Sequence, residues 1–295
     1  MRARSPDSVL FVTLDSCRYD TFESAELPAM KAVAPLHRAQ APSYYTYGSH
    51  SAMFVGFTPG LAHVNEPILN PKSGKLFKLV GGGFPGKGGE AYELSGGDII
   101  EGFKARGFLT LGTGAVGWFN PEVPTGLHLT KSFDEFFFAG DTFSLERQLT
   151  WLLEKLERAS GDVFAFLNVG ETHVPYFHAG AAWDPDDNPC VPFQNVDRAE
   201  DCRFRQRRCC EFVDRQLRPL LRAFEDSTIL ICGDHGDCWG EDGLWEHGIS
   251  HPRTLEVPLI VRVRGAPVRQ SRRPPTLSRD KAATRRFGFL GGRRA

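Results

Sequence analysis

The sequence predicts an α/β fold: a mainly parallel central sheet with helices on both faces. Three observations carry this expectation. Four short apolar runs, "SVLFVTL" (8–14), "VFAFLNV" (163–169), "STILICG" (227–233) and "VPLIVRV" (257–263), have the length and the β-branched and aromatic content of buried strands. Amphipathic helical stretches lie between them, and strands alternating with helices imply parallel pairing. Three of the runs end, at their C-terminal side, in polar clusters that hold Asp15, His173, and Asp234 with His235.

The elements follow in order. The first strand opens into "DSCRYD". "PSYYTYGSHSAMFVG" (42–56) then reads as a turn entering a short helix, with Thr46, Ser49 and His50 near its mouth and Tyr44, Tyr45 and Tyr47 walling a pocket. "GGGFPGKGG" (81–89) approaches the phosphate-loop pattern. It fails because Gly88 stands where a magnesium-binding Ser or Thr belongs and no helix pattern follows, so it reads as a loop. "SLERQLTWLLEKLERA" places Leu145, Leu149, Leu152, Leu153 and Leu156 on one helical face. The second strand ends in "GETHVPY". A second helix, 203–226, leads into the third strand, and Pro219 is expected to kink or split it. Residues 1–265 are expected to form one domain, which the resemblance described below implies to be catalytic. The Arg-rich 266–295 reads as a disordered tail, and the loops at 65–100 and 178–203 show no pattern.

Composition narrows the function class. The chain has 295 residues, 41% hydrophobic and 24% charged, with a net charge of −1, so no global pull toward nucleic acid or an anionic membrane is expected, although a local basic patch fits these numbers. The apolar run near the N-terminus is too short for a secretory segment, and nothing reaches the length of a membrane span, which predicts a cytoplasmic protein. The seven cysteines then read as thiols. Cys190, Cys202, Cys209 and Cys210 match no standard zinc spacing and are expected to pack beneath a substrate loop.

In open α/β sheets ligands gather beyond the carboxyl ends of the strands. Asp15, Asp234 and His235, with His247 twelve residues further on, are the carboxylate and imidazole donors that suit a divalent cation, and Thr46 offers a hydroxyl that such an ion activates. Read singly, these residues have plainer roles: Asp15 as a helix cap, and Asp234–His235 as a hydrogen-bonded turn. His37, His63, His128 and His178 read as structural or surface groups, His251 is a further candidate, and Ser49 competes with Thr46 as nucleophile.

Four blocks in order resemble the alkaline phosphatase superfamily, in its sulfatase-like branch: "VLFVTLDSCRYD", "TYGSHSAMFVGFTPG", "FLNVGETHVPY" and "ICGDHGDCWGEDGLWEHG" followed by "LEVPLIVR". The resemblance implies that Asp15, Thr46, Asp234 and His235 bind a metal, zinc or manganese by preference, with magnesium or calcium less readily accommodated. It makes Thr46 the nucleophile. His173 and His247 become the groups that hold the transferred moiety or the leaving oxygen, or ligands of a second ion, for which Glu171 is a further candidate. His50 stands where sulfatases carry an anion-binding Arg. Thr46 is branched at Cβ and cannot become the formylglycine of sulfatases, and Ser16 stands where many of them have a second Asp. The resemblance therefore implies a metal-dependent phosphoester hydrolase or phosphotransferase acting on a small anionic ester. A sulfuric ester hydrolase and a non-catalytic metal-binding protein of the same fold are the alternatives. Oligomeric state is not legible.

Overall fold

A central strand can bury both faces only if every residue suits a core, and "VFAFLNV" is built that way. In the computed structural model, which describes residues 3–56, 78–81, 90–93 and 97–267, this segment lies near the middle of an eight-stranded sheet. The elements in chain order are β1 (Val9–Leu14), α1 (Tyr19–Ser24), α2 (Pro28–Val33), β2 (Leu36–Gln40), α3 (Thr46–Val55), β3 (Lys78–Gly81), β4 (Glu90–Glu93), α4 (Ile99–Lys104), β5 (Leu109–Gly114), α5 (Pro124–Thr130), β6 (Glu135–Phe138), α6 (Leu145–Arg158), β7 (Val163–Val169), α7 (Ala199–Ala223), β8 (Thr228–Gly233), β9 (Cys238–Trp239), β10 (Trp245–Glu246), α8 (Pro252–Leu255), β11 (Glu256–Val263) and β12 (Ala266–Pro267). The sheet order is β12-β11-β8-β1-β7-β5-β6, with β2 also paired to β11. The stretch from β8 to β6 is parallel throughout, and β11 adds to it antiparallel.

Side chains alternate across this sheet. Val163, Ala165, Leu167 and Val169 of β7 enter one core, with residues of α1, α2, α6 and α7. Phe164 and Phe166 enter the other, with Tyr47 and Phe54 of α3, Ile100 of α4 and Leu129 of α5. Helices thus cover both faces, as expected. Leu145, Leu149, Leu152 and Leu156 of α6 are buried as the helical spacing predicts, and removing any one to Ala would cost about 2–5 kcal/mol. Helix α7 runs 25 residues through Pro219, so of the expected kink or split the split does not occur. Pro219 lies on the exposed face, while Leu217, Leu220 and Leu221 on its other side are held in the core.

Residues 82–89 of the glycine-rich stretch, 57–60 of the nucleophile block, most of the loop at 65–100 and the Arg-rich chain from 268 lie outside the described residues. The sheet continues slightly past the expected boundary at 265, because β12 folds back on the end of β11.

Candidate active site

Register builds the site. Leu14 pairs with Val169 on one side and Gly233 on the other, so Asp15 and Asp234, the next residues of adjacent parallel strands, leave the sheet side by side. Donor atoms of Asp15, Asp234 and His235 lie within 4.8 Å of one another, and all three residues are fully buried. Thr46 is the first residue of α3, whose N-cap, Tyr45, is extended, so the chain enters the helix here with free backbone N–H groups. Its Oγ1 is 3.3 and 3.4 Å from the two Asp15 carboxylate oxygens and 3.2 Å from His235 Nε2.

The donor set fits a divalent cation on three grounds. Asp234 Oδ1 accepts from the Ser16 and His235 backbone N–H groups at 3.1 and 2.9 Å, whereas its Oδ2 is buried with no hydrogen-bond partner. Nδ1 of His235 donates to the Gly236 carbonyl at 3.0 Å, which leaves the Nε2 lone pair facing Thr46 and Asp15. Burial, and then the adjacent His247, depress the His235 pKa to about 4, so its ring is neutral, the form a metal requires. Burial and then the charge of Asp15 push Asp234 well above the ordinary carboxylate range. Two carboxyl groups buried against each other make a strained pair that a cation would relieve.

The surrounding chain fixes these groups. Asn168 Nδ2 donates to Asp15 Oδ2 at 3.2 Å, and the Thr172 hydroxyl donates to the Asp15 carbonyl at 2.7 Å. Gln206 of α7 donates to the Ser16 and Thr172 carbonyls at 2.8 and 3.1 Å. Ser49 donates to the Asp234 carbonyl at 2.6 Å, tying α3 to the end of β8. That hydroxyl is committed to the backbone, and Thr46 is the one that touches the acidic and imidazole groups. Two glycines are forced by close approach: a Cβ on Gly236 would meet the Arg253 carbonyl at 2.3 Å, and one on Gly48 would meet Ser43 Oγ at 2.6 Å and the Tyr45 ring at 2.8 Å.

A second cluster adjoins the first. The His247 ring centroid lies 4.6 Å from that of His235 and 5.2 Å from that of His173. Nδ1 of His247 donates to Asp237 Oδ1 at 2.8 Å; Asp237 Oδ2 accepts from the Tyr176 hydroxyl at 2.7 Å, and that hydroxyl accepts from Trp239 Nε1 at 2.8 Å. Burial works against a charged His247, but the hydrogen bond and charge of Asp237 outweigh it and raise the pKa to about 9. His173 donates from Nδ1 to the Val174 carbonyl at 2.7 Å, which leaves its Nε2 as an acceptor. His235, Asp237 and His247 also place ligand atoms within 4.8 Å of one another.

Some candidates belong elsewhere. His50 lies one turn along α3 from Thr46, as the spacing implied, but faces inward. Its Nδ1 donates to the Thr46 carbonyl at 2.8 Å, its Nε2 accepts from Thr13 at 2.9 Å, and Phe54, Phe119 and Phe166 surround the ring. Burial depresses its pKa to about 4. A neutral ring with both nitrogens engaged does not offer an anion the charge of an arginine, so the anion-binding role fails and His50 instead fixes the first turn of α3. Glu171 turns away to the start of α6, where Oε1 accepts the Leu145 N–H at 2.8 Å. His128 bonds Tyr47 at 3.0 Å, and His178 stacks on Phe212. Of the tyrosines, Tyr44 is 36% exposed, Tyr45 is half-buried and Tyr47 is buried against Trp118. All seven cysteines are buried free thiols; Cys190, Cys202 and Cys209 pack with Tyr176, Trp239 and Trp245 beside the second cluster. The chief residue that sequence reasoning missed is Asp237. Its signal was the hairpin: Cys238 pairs with Glu246, so the residue before Cys238 faces His247.

No family model matches the chain. A stretch of 79 residues, 23% of this chain and 15% of the relative, is 33% identical to choline-sulfatase of Rhizobium meliloti (strain 1021). Among solved structures, the zinc complex of the C-terminal periplasmic domain of EcEptC from Escherichia coli aligns with a TM-score of 0.62 at 11% identity, over 89% of this chain and 74% of that one. The C-terminal periplasmic domain of phosphoethanolamine transferase EptC from Campylobacter jejuni aligns at 0.56 with 13% identity, over 88% and 80%. The phosphonate monoester hydrolase of Silicibacter pomeroyi aligns at 0.57 with 14% identity, over 88% and 69%. Among the described residues no helix is long and apolar enough to cross a membrane. The chain has the fold of these transferases and hydrolases.

Proposed function

We propose that this protein is a metal-dependent hydrolase or transferase of phosphoesters that works through Thr46. The observation that carries the reading is the convergence of the Thr46 hydroxyl, Asp15, His235 and the unpartnered Asp234 Oδ2 at the start of α3. Asp15, Thr46, Asp234 and His235 would hold a divalent ion, with zinc the first choice for two carboxylates and an imidazole. When bound, the ion supplies charge that lowers the hydroxyl pKa and offsets the negative charge of the phosphoryl oxygens.

The chain's own groups do the rest. Thr46 Oγ1 gives up its proton to bulk water and attacks phosphorus, forming an Oγ–P bond as the bond to the leaving oxygen breaks. The open N–H groups at the head of α3 face the phosphoryl oxygens. His247, held charged by Asp237, gives its Nε2 proton to the leaving oxygen. Water, or an acceptor alcohol, then takes the phosphoryl group from Thr46, whose oxygen regains a proton from bulk water, as His247 does. His173, with Nε2 as acceptor, takes the proton of that second nucleophile. The seven reduced cysteines support a cytoplasmic setting.

The test is metal analysis together with turnover of bis-p-nitrophenyl phosphate and p-nitrophenyl sulfate. The expected result is one tightly held divalent ion, faster cleavage of the phosphate ester, and loss of both metal and activity in Asp234→Ala. Preference for the sulfate ester would favour the sulfatase reading, to which the short choline-sulfatase match also points. Metal binding with every ester left intact would favour a non-catalytic protein.

A further inference from the structure

Helix α7 carries a feature that catalysis does not use. Phe204, Arg207, Glu211, Arg215, Arg218 and Arg222 follow one another at intervals of three or four residues, so they form one stripe along the outer face. The stripe is about 27 Å long at 1.5 Å per residue. All of these residues except Glu211 are exposed. Glu211, its one acid, is held by Arg208 at 2.7 Å. Among the described residues no carboxylate lies within ion-pair distance of Arg207, Arg215, Arg218 or Arg222. Like charges three and four apart disfavour a helix, and the whole chain has a net charge of only −1. This stripe therefore carries net positive charge on a chain whose total is close to neutral.

We infer that the outer face of α7 docks the protein on an anionic phospholipid surface. Charge complementarity selects a polyanion, and the apolar group selects lipid over nucleic acid. Phe204 is 47% exposed within the stripe itself. An arginine stripe with an exposed Phe at its head suits a headgroup and acyl boundary, where the charges meet lipid phosphates and the ring leaves water. A nucleic acid backbone would reward only the arginines. The opposite face of α7, with Val213, Leu217 and Leu220, stays in the protein core, so the helix lies on the surface as part of the folded domain.

The experiment uses the full chain and sedimentation with phosphatidylcholine vesicles, with and without phosphatidylglycerol, at low and high salt. Wild type is compared with the triple variant Arg207→Gln, Arg215→Gln, Arg218→Gln. Because the sequence beyond residue 267 carries arginines of its own, the difference between the two proteins is the readout. The expected result is salt-sensitive binding to the anionic vesicles only, with a partition coefficient about 100-fold lower in the triple variant. Hydrolysis of a soluble ester and the melting temperature should be unchanged, and the vesicle result stands whichever ester the site cleaves. Equal binding by the two proteins, or no preference for anionic vesicles, would overturn the inference. So would tighter, Arg-dependent binding to duplex DNA.

Discussion

Glu171→Gln should stabilise the protein above neutral pH and leave it nearly unchanged in mild acid. Glu171 follows β7, is 2% exposed, gives Oε1 to the Leu145 N–H and has no partner for Oε2. Burial, opposed only in part by the backbone hydrogen bonds, raises its pKa from 4.5 to about 8. Below 4.5 the folded and unfolded chains are both protonated, and stability is complete. As pH rises from there to about 8, the unfolded chain ionises while the folded one holds its proton, so stability falls by about 1.4 kcal/mol per pH unit, roughly 5 kcal/mol in all. Above about 8 both forms are ionised and the loss is constant. Glutamine keeps an oxygen for Leu145 and cannot ionise. The assay is thermal and denaturant unfolding of metal-free protein from about pH 5 to about pH 9, read as the difference between variant and wild type so that other titrations cancel. The expected difference is small at the acid end, about 1 kcal/mol or less, and a melting-temperature gain on the order of 10 °C at the alkaline end. Parallel curves would refute the reasoning, because they would mean that Glu171 ionises in the folded protein without cost.

Thr46→Ala should lower turnover of a phosphate diester about 10³-fold, with Thr46→Ser retaining part of the activity; an active Thr46→Ala beside an inactive Ser49→Ala would show that the other hydroxyl is the nucleophile. Gly48→Ala should cost about 1–3 kcal/mol, because the new methyl meets Ser43 and the Tyr45 ring, and should impair turnover more than it lowers the melting temperature. Asp237→Asn should reduce kcat about 10–100-fold with little change in KM, because the His247 ring loses the carboxylate that orients it; an unchanged kcat would remove His247 from the proton transfer.

The legible parts of the fold were those whose residues all point to one answer. β1, β7, β8 and β11 are continuous apolar runs, and each was placed to within a residue or two. β5, "LTLGTG", was missed because Gly112 and Gly114 dilute the apolar signal. Those glycines are needed where the rings of Phe133, Phe136 and Phe119 press on the strand. β2 and β6 are an edge strand and a four-residue strand with little apolar content to read or little length. Asp15, Asp234 and His235 were legible because a polar group directly after a buried strand has few structural uses. Asn168 and Gln206 were not, because each acts through a contact across the fold that leaves no local periodicity; Asp237 was not, because its contact with His247 is set by the register of two-residue strands too short to read. His50 was misread for the same reason: helical spacing placed it one turn from Thr46, but could not say that an aromatic core closes around it.

The adjacent rungs at Leu14 and Gly233 also fix when the site can exist. Its two carboxylates are 219 residues apart in the chain, and they meet only after β8 has paired with β1. Such long-range parallel pairing is slow to form. During synthesis, everything from Asp15 to Thr46 is complete long before its partners leave the ribosome, so an ion can neither nucleate the early fold nor rescue a chain stalled before residue 235. If the proposed site holds a divalent ion, the time at which refolding protein acquires the ability to retain it measures the closing of one strand pair, and it should lag the burial of the α6 leucines.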